Sequence, residues 1–200
     1  MGVETTILAA LMGLSLASAS GFRVFLPPFI LSLAVRTDTF VNFDLSGTEF
    51  AAFDSNAAVI VLGIACLAEF GAYYVPWLDN LLDTIATPAA VVSGVSMTSM
   101  ALVGSDPIIQ WSFAIIAGGG SAGIIQVTTV AIRGLSSTLT MGFGNSFVAS
   151  GENIASVVLT IAALIAPLIA AIFAVILVAL LIRQSIKIQQ KNQLKGLKNS

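Results

Sequence analysis

The sequence predicts an all-α, polytopic transmembrane helical bundle, and three observations lead to that class. Of the 200 residues, 57% are hydrophobic and only 9% are charged, and the mean hydropathy is +1.00. A soluble domain carries about 25% charged residues, because its surface faces water. The apolar runs are continuous rather than alternating, which favours helices over the strands of a membrane barrel. The composition therefore excludes a soluble enzyme, a disordered chain and a basic nucleic-acid-binding domain.

Six to seven hydrophobic segments follow one another along the chain, where a membrane span needs about 20 residues. The first two are short, which predicts either steep spans or the two arms of a re-entrant hairpin. The sixth is weaker and rich in Ser, Thr and Gly, whereas the last is long enough to tilt and contains Pro167, which predicts a kink. The segments cover residues 6–19, 22–35, 56–74, 85–103, 108–132, 135–150 and 154–182.

The charged residues divide the chain into a membrane domain, a loop and a tail. Residues 37–55 are acidic and rich in Phe, and we expect them outside the membrane, either as a lid over the helix ends or as a vestibule that gathers substrate. Residues 183–200 are basic, which predicts a cytoplasmic C-terminus, because Lys and Arg concentrate on that side. The rest, residues 1–182, is expected to form the transmembrane domain, with Arg23 and Arg133 near the cytoplasmic side.

The residue types needed for most catalytic chemistry are missing. The chain has no histidine, and its one cysteine, Cys66, lies in an apolar run. It also has no ATP-binding loop and no Ser–Lys or paired-Asp protease signature. We therefore predict that the protein is not an enzyme and needs no cofactor, while the sequence leaves metal binding open.

Ionisable side chains at membrane depth are costly and are candidates for function. Glu69 lies well inside the third segment, with Tyr73 one turn further on. Asp79 and Asp83 share a helix face with Asn80 beside it, and such oxygen ligands suit a cation or a shared proton. The alternative is an interfacial turn in which Asp79 caps the next helix.

Two stretches, residues 18–23 and 118–126, share one pattern: small residues, then a polar group, then an apolar helix. This pattern predicts broken helices and an internal repeat, as in secondary transporters, or else close helix contact at the glycines. Arg23 is either a topology anchor or the partner of a buried carboxylate (Glu69, Asp83 or Glu152). The predicted helix breaks are at Gly21, Pro27, Pro28, Gly119, Gly120 and Gly123, and the polar candidates of the second half are Gln126, Asn145, Glu152 and Asn153.

Two elements of the first half carry a resemblance to a known family. They are the run SGFRVFLPP at residues 20–28, and Glu69 followed by PWLDNLLD at residues 76–83, with a looser match around residues 145–153. Together they resemble a bacterial and cyanobacterial membrane family known only as a domain of unknown function (four-one-two-six). The resemblance implies a compact polytopic helical fold in a bacterial inner or thylakoid-type membrane, and it implies no activity.

The intramembrane charges favour a channel or secondary transporter for a small solute or ion, which would use buried carboxylates and Arg23. The alternative is a structural or assembly subunit of a larger membrane complex. The partners we expect are the lipid bilayer, a small solute or ion, and either further copies of the chain or a membrane-complex partner, but no nucleic acid.

Overall fold

The computed structural model describes the backbone of residues 2–39, 44–72, 76–141 and 143–198, and their side chains except those of 76–83, 139, 184–185 and 187–198. This part of the chain is helical and contains no strand, which confirms the predicted fold class. The helices are α1 (Val3–Ser20), α2 (Leu26–Arg36), α3 (Asn56–Ala72), α4 (Pro76–Ala101), α5 (Pro107–Phe113), α6 (Gly120–Thr140), α7 (Asn145–Ile165) and α8 (Pro167–Lys198), with a 3-10 helix at Ala51–Asp54 and a π-helical turn at Ala114–Gly119.

Several of these helices have the length and composition of membrane spans. In the described part of the chain, four helical stretches are long and apolar enough to cross a bilayer: Val3–Ser20, Thr84–Ala101, Pro107–Thr138 and Asn145–Ile165. Shorter apolar helices occur at Leu26–Arg36, Asn56–Ala72 and Pro167–Arg183. On α3, Ile60, Val61, Ile64 and Leu67 are all exposed. A row of large apolar side chains on an outer face suits lipid and not water, so the chain is an integral membrane protein.

The second half of the chain divides differently from the predicted segments. Residues 135–150 do not form one segment, because α6 ends within them and α7 begins. Met141 ends α6 with a left-handed backbone of φ 55°, a conformation that cannot continue a helix. Residues 154–182 also divide, since Ala166 leaves the helical region (φ −141°, ψ 70°). The reason is Pro167, which disfavours a helical backbone at the residue before it.

The predicted helix breaks at Gly119, Gly120 and Gly123 are wrong. The π-helical turn joins α5 to α6, and the helix continues through all three glycines. A Cβ atom at Gly119 would lie 3.0 Å from Cγ2 of Val95, and one at Gly123 would lie 3.2 Å from Cγ2 of Val91. These two glycines therefore let α4 pack closely, as small residues do between membrane helices.

Helix α1 lies at the centre of the bundle and packs against α4, α6, α7 and α8. The Thr98 hydroxyl of α4 donates to the Gly13 carbonyl (3.1 Å), and Ser93 Oγ lies 3.1 Å from Ser20 Oγ. Since the later residue of α4 meets the earlier residue of α1, the two helices are antiparallel. A Cβ at Gly13 would lie 2.9 Å from Cα of Thr98, so glycine permits this close approach.

Residues 44–55 of the acidic loop pack over the helix ends. Leu45 and Phe50 are buried in the same apolar cluster as Leu31 of α2. The Ser32 hydroxyl donates to the Phe53 carbonyl (2.6 Å) and fixes the loop to α2. Of the two interpretations of this loop, these contacts fit the lid.

Candidate functional site

The site forms where the chain leaves α1 and starts α2, at residues 21–25, which we call the helix break. Gly21 keeps a helical backbone (φ −68°, ψ −20°), and its N–H donates to the Ala17 carbonyl. A Cβ at Gly21 would lie only 2.7 Å from the Ala122 carbonyl oxygen and from Cβ of Ile125. Glycine is thus needed here for the close approach of α6 and not for an unusual backbone conformation.

The backbone N–H groups at the start of α2 donate to a carboxylate from another helix. Pro27 and Pro28 lie in the first turn of α2 and have no N–H to satisfy. The N–H groups of Val24 and Phe25 donate to Glu69 Oε1 (2.7 Å) and Oε2 (3.0 Å). Glu69 is 6% exposed, and its negative charge also suits the positive end of the helix dipole. Glu69 of α3 therefore caps α2 across the bundle.

Arg23 joins the helix break to α7. Its side chain is fully buried. Nη2 donates to the Ala149 carbonyl (2.9 Å), Nη1 donates to the Phe22 carbonyl (3.3 Å), and Nε donates to Asn153 Oδ1. Nη1 also forms an ion pair with Glu152, 3.0 Å from Oε2. Arg23 is therefore a buried partner of a carboxylate, which was one of its two predicted roles.

A second arginine reaches the same carboxylate from α6. Arg133 is 1% exposed, and its Nε lies 3.6 Å from Glu152 Oε1. Glu152 thus lies between two guanidinium groups, and both of them also interact electrostatically with Glu69. Among the described side chains, these two arginines and two glutamates form the charge cluster, which is contributed by the helix break, α3, α6 and α7. The cluster lies where α1 and α3 end and α2 begins.

Hydroxyl and amide groups connect the surrounding backbone. Ser93 of α4 donates to the Val24 carbonyl (2.9 Å), and Ser156 of α7 donates to the Ala19 carbonyl (3.0 Å). Asn145 starts α7, and its Nδ2 donates to Ser137 Oγ of α6 (2.8 Å). The bond to Val24 supplies a partner for a carbonyl of the helix break, and the bond to Ala19 links the end of α1 to α7.

The structure brings four of the predicted polar residues together: Arg23, Glu69, Glu152 and Asn153. Gln126 is 1% exposed in the interior of α6, and Asn145 lies at the start of α7. The backbone of Asp79, Asn80 and Asp83 belongs to the first turns of α4, but their side chains are outside the described part, and Tyr73 is outside it altogether.

Arg133 was not among the predicted site residues, because its position in the sequence is also that of an arginine at the cytoplasmic side of a membrane span. A helical projection would have found it. Arg133 follows Gln126 by seven residues, which places the two on one face of α6, and Thr129 lies between them on that face. A polar stripe that contains an arginine and runs along an apolar helix indicates an inward-facing charge.

Two apolar grooves lie between helices of the bundle, and the second includes Val24 and Phe25 of the helix break. One of about 480 Å³ lies between α6 and α8, and one of about 430 Å³ lies between α2, α3 and α4. Both are lined mainly by apolar side chains and by none of the four charged residues of the cluster. Within the described residues, no group of three or more acidic or Cys side chains could hold a metal ion.

Apolar membrane-length helices around a buried charge cluster define a polytopic integral membrane protein. Residues 10–187 match the family described as Domain of unknown function (DUF4126), and the chain belongs to this family. Comparison with curated proteins and with solved structures gives no match. Because the family description states no activity, any functional inference has to come from the site.

Proposed function

We propose that the protein is a channel or secondary transporter for a small solute or ion, and that its pathway passes the charge cluster. The observation that carries this proposal is the burial of Arg23, Arg133, Glu69 and Glu152 inside an apolar bundle. A charge at membrane depth costs at least a few kcal/mol. Replacing a buried ion pair with well-packed apolar residues is often neutral or stabilising. Stability alone therefore gives little reason for the cluster, whereas a path for a polar solute requires such groups.

The helix break supports the same proposal. Transporters commonly bind their substrates at discontinuous helices, where backbone groups outside the helical pattern are available for ligands. Here α1 and α2 are interrupted at the cluster, and the first turns of α4 and α7 lie at the same end of the bundle because both helices run antiparallel to α1. We propose that Asp79, Asn80, Asp83, Gln126 and Asn145 extend the polar surface of the pathway at this end.

The orientation follows from the basic tail. Helix α8 turns back after α7 and packs along α1 and α6, so its end lies at the same end of the bundle as the charge cluster. We propose that this end faces the cytoplasm, because residues 183–200 carry five of the eight basic residues of the chain. The cluster then lies in the cytoplasmic half of the membrane.

Flux through reconstituted protein tests the proposal. Purified protein in liposomes is given gradients of K⁺, Cl⁻, nitrate and glycerol in turn. Wild type is compared with Glu69→Gln, Asp83→Asn and, as a matched control, Glu4→Gln. Glu4 is an exposed carboxylate at the other end of α1. We expect flux in wild type and the control and at least a tenfold lower flux in the other two. Equal flux in all four proteins, or none above that of empty liposomes, would contradict the proposal.

Water access to the cluster is a second measurement. In a Cys66→Ala background, single cysteines at positions 69, 79, 83 and 152 are exposed to a membrane-impermeant maleimide from each side. The proposal expects labelling from one side only. If none of the four positions reacts, the charges are structural ion pairs and the proposed pathway is wrong.

A specific feature favours the second candidate, a subunit of a larger assembly. The groove between α6 and α8 is lined by Gly119, Gly120 and Gly123, and Gly120, which has open space beside it, suits close contact with another membrane helix. Extraction in mild detergent followed by native mass measurement tests this candidate. A monomer without partners would count against it.

A further inference from the structure

We propose that Arg23 and Arg133 bind a small oxyanion or carboxylate when Glu152 takes up a proton, so that one anion is coupled to one proton. This inference rests on the proposed transport function and names its substrate class and its coupling ion. It starts from the position of Glu152, which is a carboxylate of the chain itself between two guanidinium groups.

The geometry of Glu152 is that of a bound anion. Its two oxygens lie near different arginines: Oε2 lies 3.0 Å from Arg23 Nη1, and Oε1 lies 3.6 Å from Arg133 Nε. Guanidinium groups recognise carboxylates and oxyanions through such paired contacts. The longer of the two distances exceeds that of a hydrogen bond, so the contact with Arg133 is the looser one. A free anion of similar shape could take the place of this carboxylate.

Arg23 keeps its position without help from Glu152. Its guanidinium donates to the carbonyl oxygens of Ala149 and Phe22 and to Asn153 Oδ1. These acceptors carry no net charge, and they orient the arginine. When Glu152 becomes neutral, the positive charge of Arg23 stays in place and already points toward the site. Such preorganisation lowers the cost of binding a ligand.

The other groups of the cluster fit this exchange. Both oxygens of Glu69 accept N–H groups of the helix break, so Glu69 is a fixed charge and cannot move between the two arginines. Gln126 is 1% exposed, and its Nε2 has no hydrogen-bond partner among the described residues. It lies on the same face of α6 as Arg133, two turns away. A buried amide donor on the same face of α6 as Arg133 suits an anion and not a cation.

Of the described ionisable side chains on the elements around α7, only those of the cluster are buried. Helix α7 packs against α1, α2, α6 and α8. Among the described side chains of these helices and of the helix break, the ionisable ones are Glu4, Arg36 and Arg183, which are exposed, and Arg23 and Arg133 of the cluster.

The exchange balances in charge and in protons. One proton adds to a carboxylate oxygen of Glu152, and the lost negative charge is replaced by that of one monovalent anion. No other covalent bond forms or breaks. The net charge of the cluster is the same in both states, so movement of the proton and the anion together is electroneutral.

Binding measured against pH tests the inference on the full-length protein in detergent. The probes are nitrate, acetate and phosphate, measured by calorimetry between pH 5 and pH 8. For wild type, the dissociation constant of nitrate should rise about tenfold per pH unit wherever Glu152 is ionised in the free protein, because one proton enters with each anion. Glu152→Gln imitates the protonated side chain, so its affinity for nitrate should not change with pH. The control, Glu4→Gln, should behave as wild type.

Two further measurements test the inference even if the Glu152→Gln variant fails to fold. At a pH where Glu152 is ionised in the free protein, calorimetry of wild type in two buffers with different ionisation enthalpies should show one proton taken up per nitrate bound. Arg133→Gln should lower the affinity for nitrate at least tenfold at pH 5. The inference is overturned if none of the three probes binds wild type, or if nitrate binds without uptake of a proton.

Flux separates this inference from the proposed function. In liposomes that contain a pH dye, an inward nitrate gradient should carry protons inward, and clamping the membrane potential at zero should not change the rate. Anion binding with the expected pH dependence but without flux would refute transport and leave the anion site standing. Flux of K⁺ or glycerol without anion binding would refute the anion site and leave transport standing.

Discussion

The cap that Glu69 provides to α2 can be tested by removing it. Glu69→Ala deletes the acceptor of two backbone N–H groups, those of Val24 and Phe25. A hydrogen bond to a charged acceptor contributes about 1.5–3 kcal/mol, and a buried N–H left without an acceptor costs about 1–3 kcal/mol. Glu69→Gln keeps one acceptor oxygen and removes the charge, so it should have a smaller effect.

The two bonds should not contribute equally. Val24 is 6% exposed, whereas Phe25 is 38% exposed. The bond from the Phe25 N–H is also longer and only part-buried, whereas that from Val24 is buried, so the loss of the Phe25 bond should cost less. One bond lost in full and one lost in part give a free-energy cost of about 3 kcal/mol for Glu69→Ala.

Alkylation of the native cysteine, Cys66, measures the effect of losing this cap. Cys66 is the one cysteine of the chain, it is 5% exposed, and it lies one turn before Glu69 on α3. Alkylation of Cys66 in detergent follows the local opening of this region when closing is fast. Because about 1.4 kcal/mol corresponds to a tenfold change, opening made easier by about 3 kcal/mol should raise the alkylation rate about a hundredfold.

Leu67→Ala is the matched control, because Leu67 is on the same helix and 73% exposed. It should change the alkylation rate less than threefold. If Glu69→Ala alkylates Cys66 at the wild-type rate and unfolds at the wild-type temperature, then Glu69 does not hold the start of α2.

Three other predictions concern packing, the ion pair and a helix cap. Gly21→Val should cost about 1–3 kcal/mol in thermal unfolding, because α6 is too close for a side chain. Gly134→Ala, with open space around it, should be neutral or stabilising by up to about 1 kcal/mol. Arg23→Gln should destabilise the protein by about 3–5 kcal/mol. A double-mutant cycle with Glu152→Gln should show a coupling energy above about 1 kcal/mol. Additive effects of the two substitutions would show that the pair is not coupled. The Asp106 side chain accepts hydrogen bonds from the N–H groups of residues 108 and 109 at the start of α5. Asp106→Ala should therefore lower the free energy of unfolding by about 1 kcal/mol. An unchanged melting temperature would contradict this cap.

The sequence alone indicated the class of the fold and much of the site. Continuous apolar runs with few charges leave helices as the way to satisfy the backbone in lipid. The cost of burying charge marked Arg23, Glu69 and Glu152 as candidates before their positions were known. These conclusions need only composition and local pattern, which a sequence contains in full.

Other features depend on contacts between distant residues. Glycine at residues 119–123 allows either a broken helix or a close neighbour, and the choice depends on Val91 and Val95 of α4. Likewise, a sequence cannot show that Glu69 caps α2, because the N–H groups that it accepts lie 44 and 45 residues earlier in the chain.

The sequence by itself determined that this chain lies in a membrane and that a few of its charges are buried there. Only the tertiary structure decided which charges meet. It placed Glu152 between Arg23 and Arg133 and gave Arg133 a role in the site. The physical reason is that hydropathy is a property of each residue, whereas an ion pair is a property of two, and the packing of α1 against α6 and α7 sets their distance.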